Sequence, residues 1–223
     1  MKVQDVMTPN PITVSPDCTI GETWRLMCEY KHTHIPVVDH HQVLGIITLK
    51  DFSTRHYFQF IGTSAATHFL STEQDKLLHK VRVRDVMPAE RGVVVIGPDA
   101  YIEQAAALLH DNNLSGVPVV DDDGGLAGIV TQTDIVGAFM ELMAIKGKGA
   151  RITLRVNDDP SSFCTISQIL CNYHVRIENL VTMKGNNGDK PLMVLRINDI
   201  NLKPIVTDLK AAGFEIESTL VQQ

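Results

Sequence analysis

A segment of about fifty residues occurs twice in this chain, and that duplication limits what it can fold into more than any other feature. Residues 3–52 begin Val3-Gln4-Asp5-Val6-Met7 and end Gly45-Ile46-Ile47-Thr48-Leu49-Lys50-Asp51. Residues 83–135 begin Val83-Arg84-Asp85-Val86-Met87 and end Gly128-Ile129-Val130-Thr131-Gln132-Thr133-Asp134. The offset grows from 80 at the valine pair (Val3, Val83) to 82 at Pro36 and Pro118 and 83 at Gly45 and Gly128. Only short loop insertions therefore separate the copies. Both keep Pro-Asp (Pro16-Asp17, Pro98-Asp99), Pro-Val-Val-Asp (Pro36 to Asp39, Pro118 to Asp121) and Thr-x-x-Asp. A unit of this size cannot bury its apolar face alone, so each copy is expected to pack on the other and to form two related clefts.

The local pattern predicts β-α-β-β-α for each copy. Ile12-Thr13-Val14 is extended, and Asp17 or Thr19 caps a helix carrying Ile20, Thr23, Trp24 and Met27 at helical spacing. His34 to Val38 and Val43 to Thr48 read as strands, and Asp51 starts a helix to about Phe60. The second copy repeats this with Val93 to Ile96, a helix from Tyr101 to Asn112, strands Gly116 to Val120 and Leu126 to Thr131, and a helix from Asp134 to Lys146. The expected divisions are 1–60, a linker 61–82 with a short helix over Thr72 to Val81, 83–146, and a linker 147–150 at Gly147-Lys148-Gly149. Residues 151–220 follow a different pattern, β-α-β-β-α-β, the ferredoxin-like order. The fold class expected is α/β (α+β).

Composition removes several functions. With 20 Lys+Arg against 26 Asp+Glu the net charge is −6, and no basic run concentrates positive charge, so nucleic acid is not an expected partner. No stretch approaches the roughly 18 apolar residues of a membrane span, and Met1 to Asp5 lacks the apolar core of a signal peptide. A cytoplasmic location is the expectation. The four cysteines form no C-x-x-C pair and are expected to be small buried or half-buried thiols in a reducing compartment. No Ser-His-Asp arrangement, Walker glycine loop or nucleophile elbow is present, and the expectation is a protein that is not an enzyme.

The doubled V-x-D-V-M, h-P-V-V-D and G-h-h-T-x-x-D motifs resemble the CBS domain over residues 1–145. Two in tandem look like a Bateman module, a pseudo-twofold disc whose clefts commonly hold adenine nucleotides or adenosyl compounds. The tail resembles an ACT domain, with Ser161 and Ser162 after Asp158-Asp159-Pro160 where many such domains carry glycine. A CBS pair followed by an ACT-like domain at this length is similar to the acetoin-utilisation accessory family of bacteria. The resemblance implies AMP, ADP, ATP or S-adenosylmethionine as candidate ligands, no catalytic cofactor, and a metabolic enzyme as a possible partner.

Under that resemblance the first cleft comprises Ile12, Val14, His34, Ile35, Pro36, Thr48, Lys50 and Asp51. The second comprises Val94, Ile96, Gly116, Val117, Pro118, Thr131 and Asp134. The aspartates are assigned to the ribose hydroxyls, which can donate to both carboxylate oxygens. The aliphatic residues flank the base, with burial in the core as the alternative for each. Lys31, His32, Lys50, Arg55 and His56 surround the first motif, while Gln132 and Thr133 stand in the second, so a phosphorylated ligand is expected to prefer the first cleft. His32, His34, His40 and His41 have no metal-ligand spacing. Met7 and Met87 are expected to fill apolar gaps beneath the clefts. The helix from Ile135 to Ala144 is too apolar for a monomer surface, so core burial or a subunit contact is expected, with a homodimer as the default.

Overall fold

The computed structural model describes residues 1–53, 79–87, 93–157, 159–185 and 189–222. The chain divides into two units, Met1–Ala138 and Phe139–Gln223. The Gly147-Lys148-Gly149 segment lies inside the second. No described helix is long and apolar enough to cross a membrane.

In the first copy Thr19, not Asp17, caps helix α1 (Ile20–Tyr30). Its hydroxyl accepts from the Glu22 amide at 3.2 Å, and the Glu22 carboxylate returns the bond to the Thr19 amide at 2.9 Å. This reciprocal box satisfies two N–H groups that the first turn leaves unpaired. Lys31 ends the helix in the left-handed conformation. Strands β2 (His34–Asp39) and β3 (Gln42–Thr48) then pair antiparallel, His34 opposite Thr48. Their turn is His40-His41, both at positive φ. Helix α2 follows over Leu49–Ser53; the remainder of the helix expected to Phe60 lies outside the described residues. Of the helix expected over Thr72 to Val81, residues 72–78 also lie outside them, while His79 and Lys80 are helical.

The second copy is built alike. Helix α4 (Ile102–Asp111) precedes the antiparallel strands β4 (Gly116–Val120) and β5 (Leu126–Thr131), and α5 (Gln132–Leu142) closes the copy. The expected first strand of each copy is reduced to one parallel bridge, Val14 to Val37 and Ile96 to Val119. In each bridge the valine or isoleucine amide donates to a proline carbonyl, Val14 to Pro36 and Ile96 to Pro118, both at 3.1 Å. Proline has no amide of its own to extend such a ladder.

The opening segments of the two copies are exchanged. The opening segment Val3–Asp5, a single 3₁₀ turn, lies on the Pro-Asp motif of the second copy: the Val3 amide donates to Ala100 and that of Gln4 to Pro98. Strand β1 (Thr8–Pro9) then pairs with β5. Reciprocally, α3 (Val83–Val86) lies on the first copy, its Val83 amide donating to Cys18 and that of Arg84 to Pro16. Val83 and Val86 are thereby buried in one core with Val14, Ile20, Met27, Ile35, Val37, Ile47 and Phe52. The ion pairs follow the exchange, Lys2 with Asp99 at 2.5 Å and Arg84 with Asp17.

The methionines expected beneath the clefts also cross over. Met7 lies over Gly128, where an added Cβ would meet its sulfur at 2.6 Å, and Met87 over Gly45, where an added Cβ would meet its Cε methyl at 2.7 Å. The duplicated glycine is therefore a seat for the methionine of the opposite copy. Each copy depends on the other for part of its core.

The second unit runs β6 (Gly149–Arg155), α6 (Pro160–Asn172), β7 (Ile177–Met183), β8 (Leu192–Ile197), α7 (Leu202–Ala211) and β9 (Glu215–Gln222). Its antiparallel sheet has the order β7-β8-β6-β9. That connectivity is the split β-α-β arrangement. Ile152, Leu154, Leu195 and Ile197 of the central strands meet Ile166, Leu170, Ile205 and Leu209 of the helices in a separate core. Asp159 caps α6 by accepting from the Ser161 amide, and Pro160 occupies the first helical position. The segment 186–188 of the β7–β8 connection lies outside the described residues.

Candidate functional site

The two Thr-x-x-Asp motifs fold identically. Thr48 precedes α2, and its amide and hydroxyl both donate to Asp51 Oδ2 at 2.7 Å. Thr131 precedes α5, and its amide and hydroxyl reach Asp134 Oδ2 at 2.8 and 2.7 Å. Each aspartate is thus the returning half of a capping box. One carboxylate oxygen is consumed by the cap, and Oδ1 stands outside it. Both acids are half-buried, and neither is in an ion pair among the described residues. The residue preceding each central hairpin holds the following helix in register, the Leu49 amide donating to Thr33 O and the Gln132 amide to Ser115 O.

His34 and Gly116, assigned by sequence to separate clefts, are neighbours. They occupy equivalent places at the start of β2 and β4. The His34 ring bonds Thr33 Oγ1 through Nδ1 at 2.8 Å and Ser115 Oγ of the second copy through Nε2 at 2.6 Å. A Cβ on Gly116 would stand 3.2 Å from His34 Cδ2 and 3.3 Å from Thr131 Cγ2. The glycine leaves room for the imidazole to cross between copies. Burial lowers the His34 pKa from its ordinary value, and the charges of Asp51 and Asp134 oppose that shift. One imidazole therefore feels both acids.

The remaining candidates separate into two groups. Val14, Ile35, Pro36, Val117 and Pro118 are buried, with Val14 and Ile35 inside the first core. Ile12, Val94 and Ile96 are half-buried, and Lys50 is exposed. Of the bases around the first motif, Lys31 and His32 are exposed, His32 stacked on Tyr30, while Arg55 and His56 lie outside the described residues. Among the described residues no group of three or more His, Cys, Asp or Glu side chains could hold a metal ion.

A cavity of about 350 Å³ opens in the first unit, lined by Asn10, Pro11, Thr13, Val38, His41 and Leu126 among others. It sits at the turn end of β2, opposite the end where His34 faces Thr48. Neither aspartate lines it. Sequence reasoning missed the roles of Thr33 and Ser115; the signal available was His34 standing where the second copy has Gly116, two residues before the repeated Pro-Val-Val-Asp.

This interlocked pair of hairpin units, each with an aspartate-capped helix, defines a tandem CBS module. The CBS domain family matches residues 3–55 and 83–141, and the chain belongs to that family. It is similar to the inosine-5'-monophosphate dehydrogenase of Methanocaldococcus jannaschii, 31% identical over 163 residues, which are 73% of this chain and 28% of that protein. The chain thus spans under a third of that relative's length. Among solved structures it is similar to CBSX2 in complex with AMP (30% identity, 65% of this chain and 98% of that one, TM-score 0.47). It is also similar to a putative acetoin utilization protein from Vibrio cholerae (26% identity, 66% of this chain and 95% of that one, TM-score 0.49).

Proposed function

We propose that the chain is a non-catalytic regulatory protein that takes an adenine nucleotide or an adenosyl compound in its CBS pair. The observation that carries this reading is the duplicated acid. Asp51 and Asp134 each keep one carboxylate oxygen outside the capping box, in half-buried positions without an ion pair among the described residues and suited to a diol. Family membership supports the adenosyl ligand class, and AMP, ADP, ATP and S-adenosylmethionine are the candidates. In this reading residues 1–60 and 83–146 are the sensing units, and the 147–150 segment passes occupancy to an ACT-like unit at 151–220. That unit in turn addresses a metabolic enzyme. A ligand shifts such an equilibrium only by its difference in affinity for the two states. The exposed Val136, Leu142 and Met143 support a homodimer, which light scattering tests directly.

Titration calorimetry of the full chain with the four candidates is the test. At least one is expected to bind, and Asp51→Asn or Asp134→Asn to weaken it. Asparagine keeps an acceptor for the threonine amide, so the cap survives while the charge is lost. No heat with any of the four sinks the reading.

A second reading, an adaptor with empty clefts that recruits its partner through the C-terminal unit, is favoured by one observation: the cavity of the first unit lies away from both acids. It predicts that both asparagine variants act as wild type in the cell while truncation after Lys146 does not.

A further inference from the structure

The second unit contains a positively charged cavity in a chain whose net charge is −6. Its volume is about 270 Å³, and its charged walls are Lys148, Arg176, Arg196 and Glu178, three cations against one acid. It lies where β6 begins, β7 begins and β8 ends, at the opposite end of the sheet from the Asp159 cap.

The frame around these side chains is built. The Arg176 amide donates to Asn198 Oδ1 at 2.7 Å, and the Asn198 amide returns to Arg176 O at 3.2 Å. Arg196 is half-buried; its Nη2 donates to Gln222 Oε1 at 2.7 Å and to Ile145 O at 3.4 Å, which leaves Nε and Nη1 for another acceptor. Arg176 holds Glu178 Oε1 through Nε at 2.9 Å and Nη2 at 2.7 Å. Gly149 must be glycine, since its φ is +145° and a Cβ would meet Ile197 O at 2.1 Å. Ala144, on the rim, holds a positive φ of 51°. Such strain is retained where the surroundings fix it and gathers at ligand sites. Lys148, the cation between the two linker glycines, has no hydrogen-bond or ion-pair partner among the described residues.

The geometry points to a binding site for a small dianion, a metabolite of few carbons bearing a phosphate or two carboxylates. Arginine forks recognise both groups, and Lys148 supplies the compensating point charge. The volume, about 270 Å³, falls just below the roughly 300 Å³ at which pockets for drug-sized ligands begin, which limits the occupant to a few carbons. This site is independent of the adenosyl reading, because every residue that lines it belongs to Phe139–Gln223.

Calorimetry of the full chain with inorganic phosphate and, separately, with succinate tests it. Saturable one-to-one binding of either probe is expected, phosphate alone marking a phosphorylated metabolite and succinate alone a dicarboxylate. Lys148→Ala with Arg176→Ala is expected to weaken that binding at least about tenfold, while Asp51→Asn leaves it unchanged. Glu178→Gln removes the one acid and releases Arg176, so it is expected to tighten binding several-fold, a gain that misfolding cannot imitate. Absence of saturable binding by both probes overturns the site. So does binding that survives the double variant, or that Glu178→Gln does not strengthen.

Discussion

Replacing Gly128 with alanine tests the interlocking of the two CBS copies. The new Cβ would stand 2.6 Å from Met7 Sδ and 2.9 Å from the backbone oxygen of Thr8. The thioether can rotate away at a cost of about 0.5–1.5 kcal/mol. The carbonyl cannot, so β1 must retreat from β5 by about half an ångström to reach ordinary contact. The Asn10 amide already reaches Ala127 O at 3.3 Å, and that retreat breaks the bond, worth about 1 kcal/mol net. Against this, alanine reduces unfolded-state freedom by about 0.4–1 kcal/mol, since Gly128 does not need a positive φ. The expected loss is about 1–3 kcal/mol. Urea unfolding followed by tryptophan fluorescence suits the measurement, because Trp24 is the one tryptophan of the chain and sits against Phe52 in the first unit at 5.5 Å between ring centroids. Adding Met7→Ala removes the sulfur contact but not the carbonyl, so the double variant should be less destabilised than the two singles added together, by about 0.5–2 kcal/mol. Gly97→Ala, where a Cβ meets nothing within 4 Å, is the control and should be neutral or stabilising. A neutral Gly128→Ala, or strict additivity with Met7→Ala, refutes the interlock.

Val83→Ala should cost about 2 kcal/mol in the same unfolding assay, because two fully buried methyl groups are lost from the first core; Arg84→Ala, whose ion pair with Asp17 is exposed, should cost under about 1 kcal/mol, and equal losses would contradict this account of the opening segment. Folding lowers the His34 pKa, so between the folded value and the ordinary 6.5 the unfolded chain binds more protons. The urea midpoint is therefore expected to fall as pH drops below 6.5, with less fall in His34→Gln; parallel curves for the two proteins sink this reading. Thr153 Oγ1 is buried without a hydrogen-bond partner, so Thr153→Val should stabilise the second unit by about 1 kcal/mol, read as a higher circular-dichroism midpoint, and a lower midpoint contradicts it.

Element order was legible in the sequence because hydrophobic period and turn residues are local signals. The hairpins followed from runs of β-branched residues, and the β-α-β-β-α-β order of the second unit from its alternating strands. The exchange of opening segments was not legible. Nothing in Val-x-Asp-Val-Met says whether it packs on its own copy or the other, since the two offer the same Pro-Asp and glycine surfaces. The first strand was overcalled for a related reason: Ile12-Thr13-Val14 has strand composition and Val14 bridges Val37, but the next amide the partner strand would donate belongs to Pro36, so the ladder stops at one bridge. The aspartates were found because they recur, while their capping bonds emerge only when strand end and helix start are fixed in space.

Histidine in one copy and glycine in the other, His34 and Gly116, is the departure from pseudosymmetry that bears most on mechanism. If both copies carried histidine at the start of the central strand, two imidazoles would compete for the space that the Gly116 contacts leave for one. If both carried glycine, Ser115 would lose its partner and nothing between the two acids would respond to their charge. One His and one Gly give a single polar group that touches the second copy and feels Asp51 and Asp134 together. In the proposed reading, a ligand that engages either carboxylate changes the field at His34, which the charges of both Asp51 and Asp134 reach. The two diol positions proposed for Asp51 and Asp134 are then coupled through His34, equally in both directions. Titration of His34→Gln with an adenosyl ligand should therefore give two independent sites where the native chain gives coupled ones. Identical binding curves for the two proteins would remove His34 from that role.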